Sequence, residues 1–200
     1  MNYLKLMITG LASSKTSTVA SMKFARVALI ATVLISLCGC EKKTEMHLAA
    51  ERGDAEAQFM LAQNYRLGQT LRQNDRKAFK WYMRAAEQGH SSAQSCVGTL
   101  YDLGWGVGKD STEAARWHRL SAEQNNKWGQ ENLGMMYMFG HGVTQSYTEA
   151  YAWTSVSMAN GNNCESRLKR LKEFLTPEQL KEAQQLADER LKELKANNPE

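Results

Sequence analysis

The chain has 200 residues, 42% of them hydrophobic, with 25 Lys and Arg against 21 Asp and Glu, enough length for one domain with a core of its own. Four of the cations (Lys5, Lys15, Lys23 and Arg26) precede residue 40, where no acid occurs, so residues 40–200 carry 21 charges of each sign. With no net excess and no basic run longer than two residues, this part argues against a nucleic-acid binder, which needs a cationic footprint to neutralise phosphates.

The N-terminus reads as an address. Met22-Lys23-Phe24-Ala25-Arg26 is a short basic start, and Val27 to Leu37 follows as an apolar run broken only by Thr32 and Ser36. That run is too short for a mature membrane span, which needs about 20 residues, and it fits the apolar region of a secretory signal. Leu37-Cys38-Gly39-Cys40 resembles the bacterial lipobox, with an aliphatic residue at −3 and a small one before the cysteine. Cys38 fits less well, because the bulky Leu37 would then precede the cut. The alternative is a plain signal with chance cysteines. A Ser/Thr-rich stretch stands before an already complete signal, so translation is expected to start at Met22, and residues 1–39 form the signal sequence. The resemblance implies triacylation of Cys40. Glu41 is not the aspartate associated with inner-membrane retention, which implies the outer membrane, facing the periplasm. Residues 40–48 are then a lipidated tether running into a half-helix.

After residue 45, Ala, Leu, Glu, Gln and Lys dominate, and all favour helix. Only Pro177 and Pro199 interrupt, and no alternating β-branched run reads as a strand. The expected class is all-α. A 36-residue step runs through the chain: Tyr65, Tyr101 and Tyr137; Trp81, Trp117 and Trp153; Gly68, Gly104 and Gly140; Ala78, Ala114 and Ala150; Gln58, Gln94 and Gln130. Gly53, Gly89, Asn125 and Gly161 mark the unit ends, where a residue able to take positive φ closes a helix. A period of this length means stacked units, each too small to bury its own apolar face.

The segment Ala93-Gln94-x-x-Val97-Gly98-x-x-Tyr101-x-x-Gly104-x-Gly106-Val107, then Ala114-x-x-Trp117 and Ala122, resembles the Sel1-like repeat. The third unit repeats it through Gln130, Leu133-Gly134, Tyr137, Gly140-His141-Gly142-Val143, Ala150 and Trp153. In the first unit Thr70 replaces the second loop glycine and Leu71 the valine. The resemblance covers residues 49–161 as three repeats. It implies a right-handed α–α superhelical solenoid, TPR-like, with each unit a helix A, a glycine-rich turn and a helix B. In the second unit these fall near 91–103 and 111–124. Gly98 and Gly134 each cost about 1 kcal/mol of helix propensity, tolerable where helices must approach closely. Thr176-Pro177-Glu178-Gln179 is a helix start with a capping box. Residues 162–195 thus read as a degenerate repeat and a capping helix, with Leu180, Ala183, Leu186 and Leu191 as its apolar stripe. Residues 196–200 read as a disordered tail.

No catalytic constellation emerges. Ser166-Arg167-Leu168-Lys169 matches a Ser-x-x-Lys pattern but lacks the Ser-Asp-Asn and Lys-Thr-Gly that accompany it in penicillin-recognising enzymes. Gly104, Gly106 and Gly108 follow a helix rather than a strand, and Asp110 stands where a phosphate loop needs a hydroxyl. His47, His90, His118 and His141 form no pair at metal-ligand spacing. His118 occupies the slot of Tyr82, so packing is its expected role. A cysteine-rich branch of the family, linked to β-lactam binding, carries a cysteine pair in each repeat. Here only Cys96 and Cys164 follow the anchor, and they stand too many repeats apart to be bridged. No enzyme, metal or cofactor is expected, with a β-lactam-binding hydrolase as the least favoured alternative.

The resemblance implies a protein–protein adaptor. A second reading is an immunity protein that neutralises a type VI secretion effector acting in the periplasm, such as a phospholipase. Helix A is expected to line the concave side. There Phe59, Gln63 and Arg66, then Ser95, Thr99 and Asp102, then Glu131, Met135 and Met138 change identity between units. Each trio is spaced to share a helix face, which makes it a candidate partner surface; an unselected solvated face is the alternative. Trp105 and Trp128 stand outside the repeated tryptophan register and join the candidates. The anchor is the most direct of these expectations to test. Radiolabelled palmitate should be incorporated into the wild type and lost in Cys40→Ala; label persisting in the variant places the acyl chain elsewhere.

Overall fold

A computed structural model of the chain describes residues 45–197, so the signal, Cys40 and the expected start at Met22 lie outside the described residues. These residues fold as nine α-helices: α1 (Glu45–Glu51), α2 (Ala55–Leu67), α3 (Asp75–Glu87), α4 (Ser91–Leu103), α5 (Ser111–Glu123), α6 (Lys127–Phe139), α7 (Tyr147–Ala159), α8 (Glu165–Lys172) and α9 (Pro177–Asn197). The pairs α2/α3, α4/α5 and α6/α7 are the A and B helices of the three repeats, and each B helix packs on the next A helix. The second unit's helices end within a residue of the expected bounds.

Seven of the helices are opened by capping side chains, which satisfy amides that the helix itself leaves free, Thr176 of α9 among them. Asp54, Asn74, Asp110, Asn126 and Ser146 accept from backbone N–H groups one turn on, and His90 does so through Nδ1 at 3.2 Å. Helix A always stops at a left-handed glycine, Gly68, Gly104 or Gly140. The chain then folds back, with the Asn74, Asp110 and Ser146 amides donating to the Tyr65, Tyr101 and Tyr137 carbonyls at 2.8–3.0 Å. The unit-end residues Gly53, Gly89, Asn125 and Gly161 all take positive φ, Asn125 alone without being glycine.

The loop glycine at the second position has a packing reason. A Cβ on Gly106 would run into the Asp75 carbonyl of α3, and one on Gly142 into the Ser111 carbonyl of α5. Each turn therefore rests on the start of the previous B helix. For Thr70 the corresponding position is residue 39, outside the described residues. Gly98 lies against the His118 ring and Gly134 against Thr154, where a Cβ would come within 2.8 Å of either side chain. The helix-propensity cost is offset by close approach of A to B, as expected.

The capping box forms as read: Thr176 Oγ1 accepts from the Gln179 amide at 3.2 Å, and Gln179 Oε1 accepts from Thr176 at 3.0 Å. Ala183, Ala187 and Leu194 of α9 are buried, with Leu180, Leu186 and Leu191 packed beside them. Arg190 pins this cap to α7, pairing with Glu149 at 2.7 Å and lying 4.3 Å from the Trp153 ring. Ala196 and Asn197, assigned to the tail from the sequence, continue α9, Ala196 being a strong helix former and Asn197 its last residue; residues 198–200 lie outside the described residues. Cys96 and Cys164 are both free thiols.

The joints between repeats are made by the glutamines of the 36-residue step. Gln58, Gln94 and Gln130 are buried, and their amides donate to the Ala50, Ala86 and Ala122 carbonyls of the preceding helix at 3.0–3.3 Å. Their carbonyl oxygens accept in turn from Gln88, Gln124 and Asn160 at 2.7–2.9 Å. Gln130→Leu is expected to destabilise the fold by about 1–3 kcal/mol, because it removes the bonds of a buried amide to the Ala122 carbonyl, Asn125 and Asn160, leaving the Asn125 backbone and side chain as their remaining partners. Denaturant unfolding of the single variants and of Gln130→Leu/Asn160→Leu checks this. The double variant should lose less than the sum of the singles; full additivity would show that the two amides do not act together.

Candidate functional site

The A helices α2, α4 and α6 lie side by side and leave two adjoining clefts along their outer faces. The first, of about 350 Å3, is walled by Phe59 and Arg66 of α2, Ser95, Cys96 and Thr99 of α4, and Trp128 and Asn132 of α6. Phe59 is held in place by its neighbours: its ring stacks on His90 at 4.6 Å and tilts against Tyr82 at 5.7 Å. His90 is itself fixed from both ends. Nδ1 accepts from the Ala93 amide, and Nε2 meets Glu56 Oε2 at 3.0 Å. On the far wall Asn126 accepts from the Trp128 and Gly129 amides and donates to Ser92 Oγ at 3.2 Å. That bond ties the start of α6 to the start of α4 and carries Trp128, 56% exposed, over the cleft.

Arg66 is the cation of this cleft. It interacts with the Tyr82 phenol and the Cys96 thiol, and among the described residues it forms no ion pair. Burial holds both of those groups above their ordinary pKa values, and the guanidinium opposes the shift only in part. Burial thus favours the neutral thiol at Cys96.

The second cleft, of about 340 Å3, shares Thr99 and Asn132 with the first, which makes the two one groove. Asp102, His118, Met135 and Phe139 line its further part. His118 comes from a B helix and shows through where Gly98 leaves room. It is 3% exposed and its Nδ1 has no hydrogen-bond partner. Burial pulls its pKa down from 6.5 to about 4, so the ring is neutral.

Of the candidate surface read from the sequence, Phe59, Gln63, Arg66, Ser95, Thr99 and Trp128 line the first cleft, and Thr99, Asp102 and Met135 the second. Ser95 is nevertheless buried and offers little area. Three candidates fall elsewhere. Met138 is core, packed with Leu168, Leu171 and Ala183, because the degenerate repeat closes over this end of α6. Glu131 is tied down for the same reason, pairing with Arg167 of α8 at 2.9 Å and accepting from Asn162. Trp105 is exposed on its turn, away from both clefts. Sequence reasoning missed Cys96 and Asn132. They stand in one column with Met60, 36 residues apart, and change identity like the trios. Ser166 and Lys169 of the Ser-x-x-Lys pattern are exposed on α8. Among the described residues no three His, Cys, Asp or Glu side chains gather as metal ligands.

The Sel1 repeat family model matches residues 55–90, 91–126 and 129–157. No curated protein matches the chain. Similar solved structures include c5321, a protective antigen present in uropathogenic Escherichia coli strains displaying an SLR fold, at 26% identity over 76% of this chain, TM-score 0.60. The chain spans only 41% of that protein's length. A Sel1 repeat protein from Oxalobacter formigenes is 35% identical over 63% of this chain and 96% of its own, TM-score 0.58. Helicobacter pylori cysteine rich protein B shares the fold at 21% identity over 68% of this chain and 99% of its own, TM-score 0.50.

The buried imidazole behind the second cleft makes stability depend on pH. The unfolded chain takes a proton at His118 below about pH 6.5, and the folded chain only below about pH 4. In that window the unfolded state binds more protons, so stability falls as pH drops through it. Melting temperature recorded from pH 7 to pH 4.5 should decline more steeply for the wild type than for His118→Thr, which carries the residue used at this slot in the third unit. Parallel curves would mean that His118 contributes no such linkage.

Proposed function

The chain belongs to the Sel1 repeat family, and we propose that its groove is the partner-binding face of an interaction module held at the bacterial envelope by a lipid on Cys40. Sel1 repeat proteins are generally protein-interaction modules, and the repeat is typically a non-catalytic scaffold. The observation that carries the proposal is the division of labour along the A helices. Columns facing inward repeat their residue type, as in Leu61, Val97 and Leu133, all fully buried. Columns facing the groove do not repeat: Phe59 and Ser95; Gln63, Thr99 and Met135; Cys96 and Asn132. The groove offers an aromatic wall at each end of the first cleft, one cation between them, and an adaptable methionine further on. Such a mixture suits a protein surface with apolar anchors and a carboxylate facing Arg66.

The envelope location rests on the apolar run at 27–37 and the lipobox ending at Cys40. No helix of the described residues is long and apolar enough to cross a membrane. The partner is an envelope protein or a toxic effector reaching the periplasm. Only four residues separate Cys40 from Glu45, five steps with an extended reach of about 18 Å. That short reach favours a partner acting at the membrane surface, as a phospholipase does.

A photo-crosslinking residue placed at Trp128 in cells expressing the full chain should yield one dominant adduct. Arg66→Glu with Met135→Lys should reduce it at least tenfold while the melting temperature stays near wild type, since neither side chain is core. An adduct unchanged by these substitutions, or equally strong from a probe at Glu113 on α5, removes the groove as the binding face.

A further inference from the structure

We propose that the edge of the solenoid formed by the A-to-B turns lies on a lipid bilayer, through Leu67, Leu103, Trp105, Phe139 and Phe174, beside the point where the chain enters the fold. The proposal rests on the reading that Cys40 is acylated.

Leu67, Leu103 and Phe139 are the last residues of α2, α4 and α6 and recur at the 36-residue step, so they share one edge. They are 52%, 47% and 55% exposed. Trp105 stands in the turn after α4, also exposed. Phe174 follows α8 and stacks at 4.8 Å on Tyr147, which opens α7 at that same edge. Five of the nine exposed large apolar side chains among the described residues thus gather on one margin. The rest are dispersed, and such single residues are ordinary. Neighbouring A helices stand roughly 10 Å apart, so the margin is a ridge several helices long. The fold does not require it: the left-handed glycine that follows each of these helix ends does the turning, and a polar side chain before it would be equally well solvated.

The position of the chain's entry says what covers the ridge. Helix α1 runs in the B direction. Its last residues lie at the opposite edge, where the Ala50 carbonyl accepts from Gln58 near the start of α2. Its first residues lie at the turn edge. Met46 Sδ accepts from Asn64 Nδ2 at 3.7 Å, and the His47 ring meets Tyr65 edge-on at 6.3 Å, both in the final turns of α2. The described chain therefore begins on the same margin as the ridge, five residues from Cys40. A lipid at Cys40 brings this margin within about 18 Å of the bilayer. Tethering raises the effective concentration of the surface so far that modest apolar contacts suffice. Trp and Phe suit the headgroup boundary, and no described helix is built to go deeper. The first cleft opens on the flanks of α2, α4 and α6, with none of the ridge residues in its walls, so an edge-on seat leaves it accessible; Leu103 and Phe139 also border the second cleft.

The test uses the full chain, isolated from a bacterial membrane with its acyl groups and reconstituted into phosphatidylethanolamine/phosphatidylglycerol vesicles that carry brominated acyl chains. Bromine quenches tryptophan only at short range. Quenching of the wild type should be largely lost in Trp105→Phe and retained in Trp128→Phe, whose indole faces the groove. Leu103→Ser with Phe139→Ser should cut the Trp105 quenching several-fold without moving the melting temperature. Absence of acyl groups by intact mass overturns the anchor and the bilayer seat together. An acylated protein whose quenching is indifferent to Trp105→Phe overturns the seat alone. Shielding of Trp105 from aqueous acrylamide by a bound protein, with no bromine quenching, assigns the ridge to that protein instead.

Discussion

A glutamine amide shut away from water sits at every joint of this solenoid, and the stacking of repeats depends on it. A helix ends with carbonyls that have no partner of its own. In an array each B helix ends against the next A helix, where the Ala50, Ala86 and Ala122 carbonyls already accept the Gly53, Gly89 and Asn125 amides of the turn. Gln58, Gln94 and Gln130 add a second donor from the first turn of the next helix A, and Gln88, Gln124 and Asn160 close the circuit from the end of helix B. The joint is specific because a buried amide demands both partners at once. Apolar contacts alone would allow the units to slide; the amide fixes one register, and a step of 36 residues repeats it. Ser121 and Ser157 tie helix B to the start of helix A within the second and third units, donating to the Ser91 and Lys127 carbonyls at 2.7 and 3.0 Å.

The same register sets how closely helices approach within a unit. Opposite Tyr82, His118 and Thr154 stand Ala62, Gly98 and Gly134. These are three pairings of one contact. The small residue lets a polar side chain of helix B lie across helix A, and the size of that side chain sets the floor of the groove. In the second unit the choice places an imidazole there without a partner for Nδ1. Burial keeps it neutral and confines its effect to acid pH.

How much of this was legible in the sequence depends on whether the 36-residue step carries it. The helices, their turns, the capping box at Thr176 and the family all ride on that step or on a local motif, and they could be read without coordinates. The glutamines were visible as a column, but their role was not, because the carbonyls they satisfy belong to a different unit. The candidate face failed where the array stops being periodic. Treating the third unit like the first placed Met138 and Glu131 on an open face, whereas α8 and α9 cover that end of α6. Arg66, Asp102 and Met138 occupy one column, and the methionine is the member that belongs to a core. Met60, Cys96 and Asn132 were overlooked for the opposite reason: a cysteine between a methionine and an asparagine does not look like a recognition column until the cleft walls are known.

The cap therefore decides how long the groove is, and the register decides what may vary along it. An uncapped array would extend the variable columns through the third unit but would expose Met138 and the apolar face of α7. Closing it with α8 and α9 turns Met138 of the last repeat into core and leaves the groove on α2, α4 and α6. Within that length the frame tolerates any side chain that does not disturb the glutamine joint or the A-to-B contact. Phe59 and Trp128 illustrate the limit. Both are large, and caps help to hold both: His90, the cap of α4, stacks on Phe59 beside its core contact with Tyr82, and Asn126, the cap of α6, orders the backbone at Trp128. The residues that start helices thus also aim the aromatic walls, so a repeat protein gains a rigid recognition surface from the same hydrogen bonds that define its repeats.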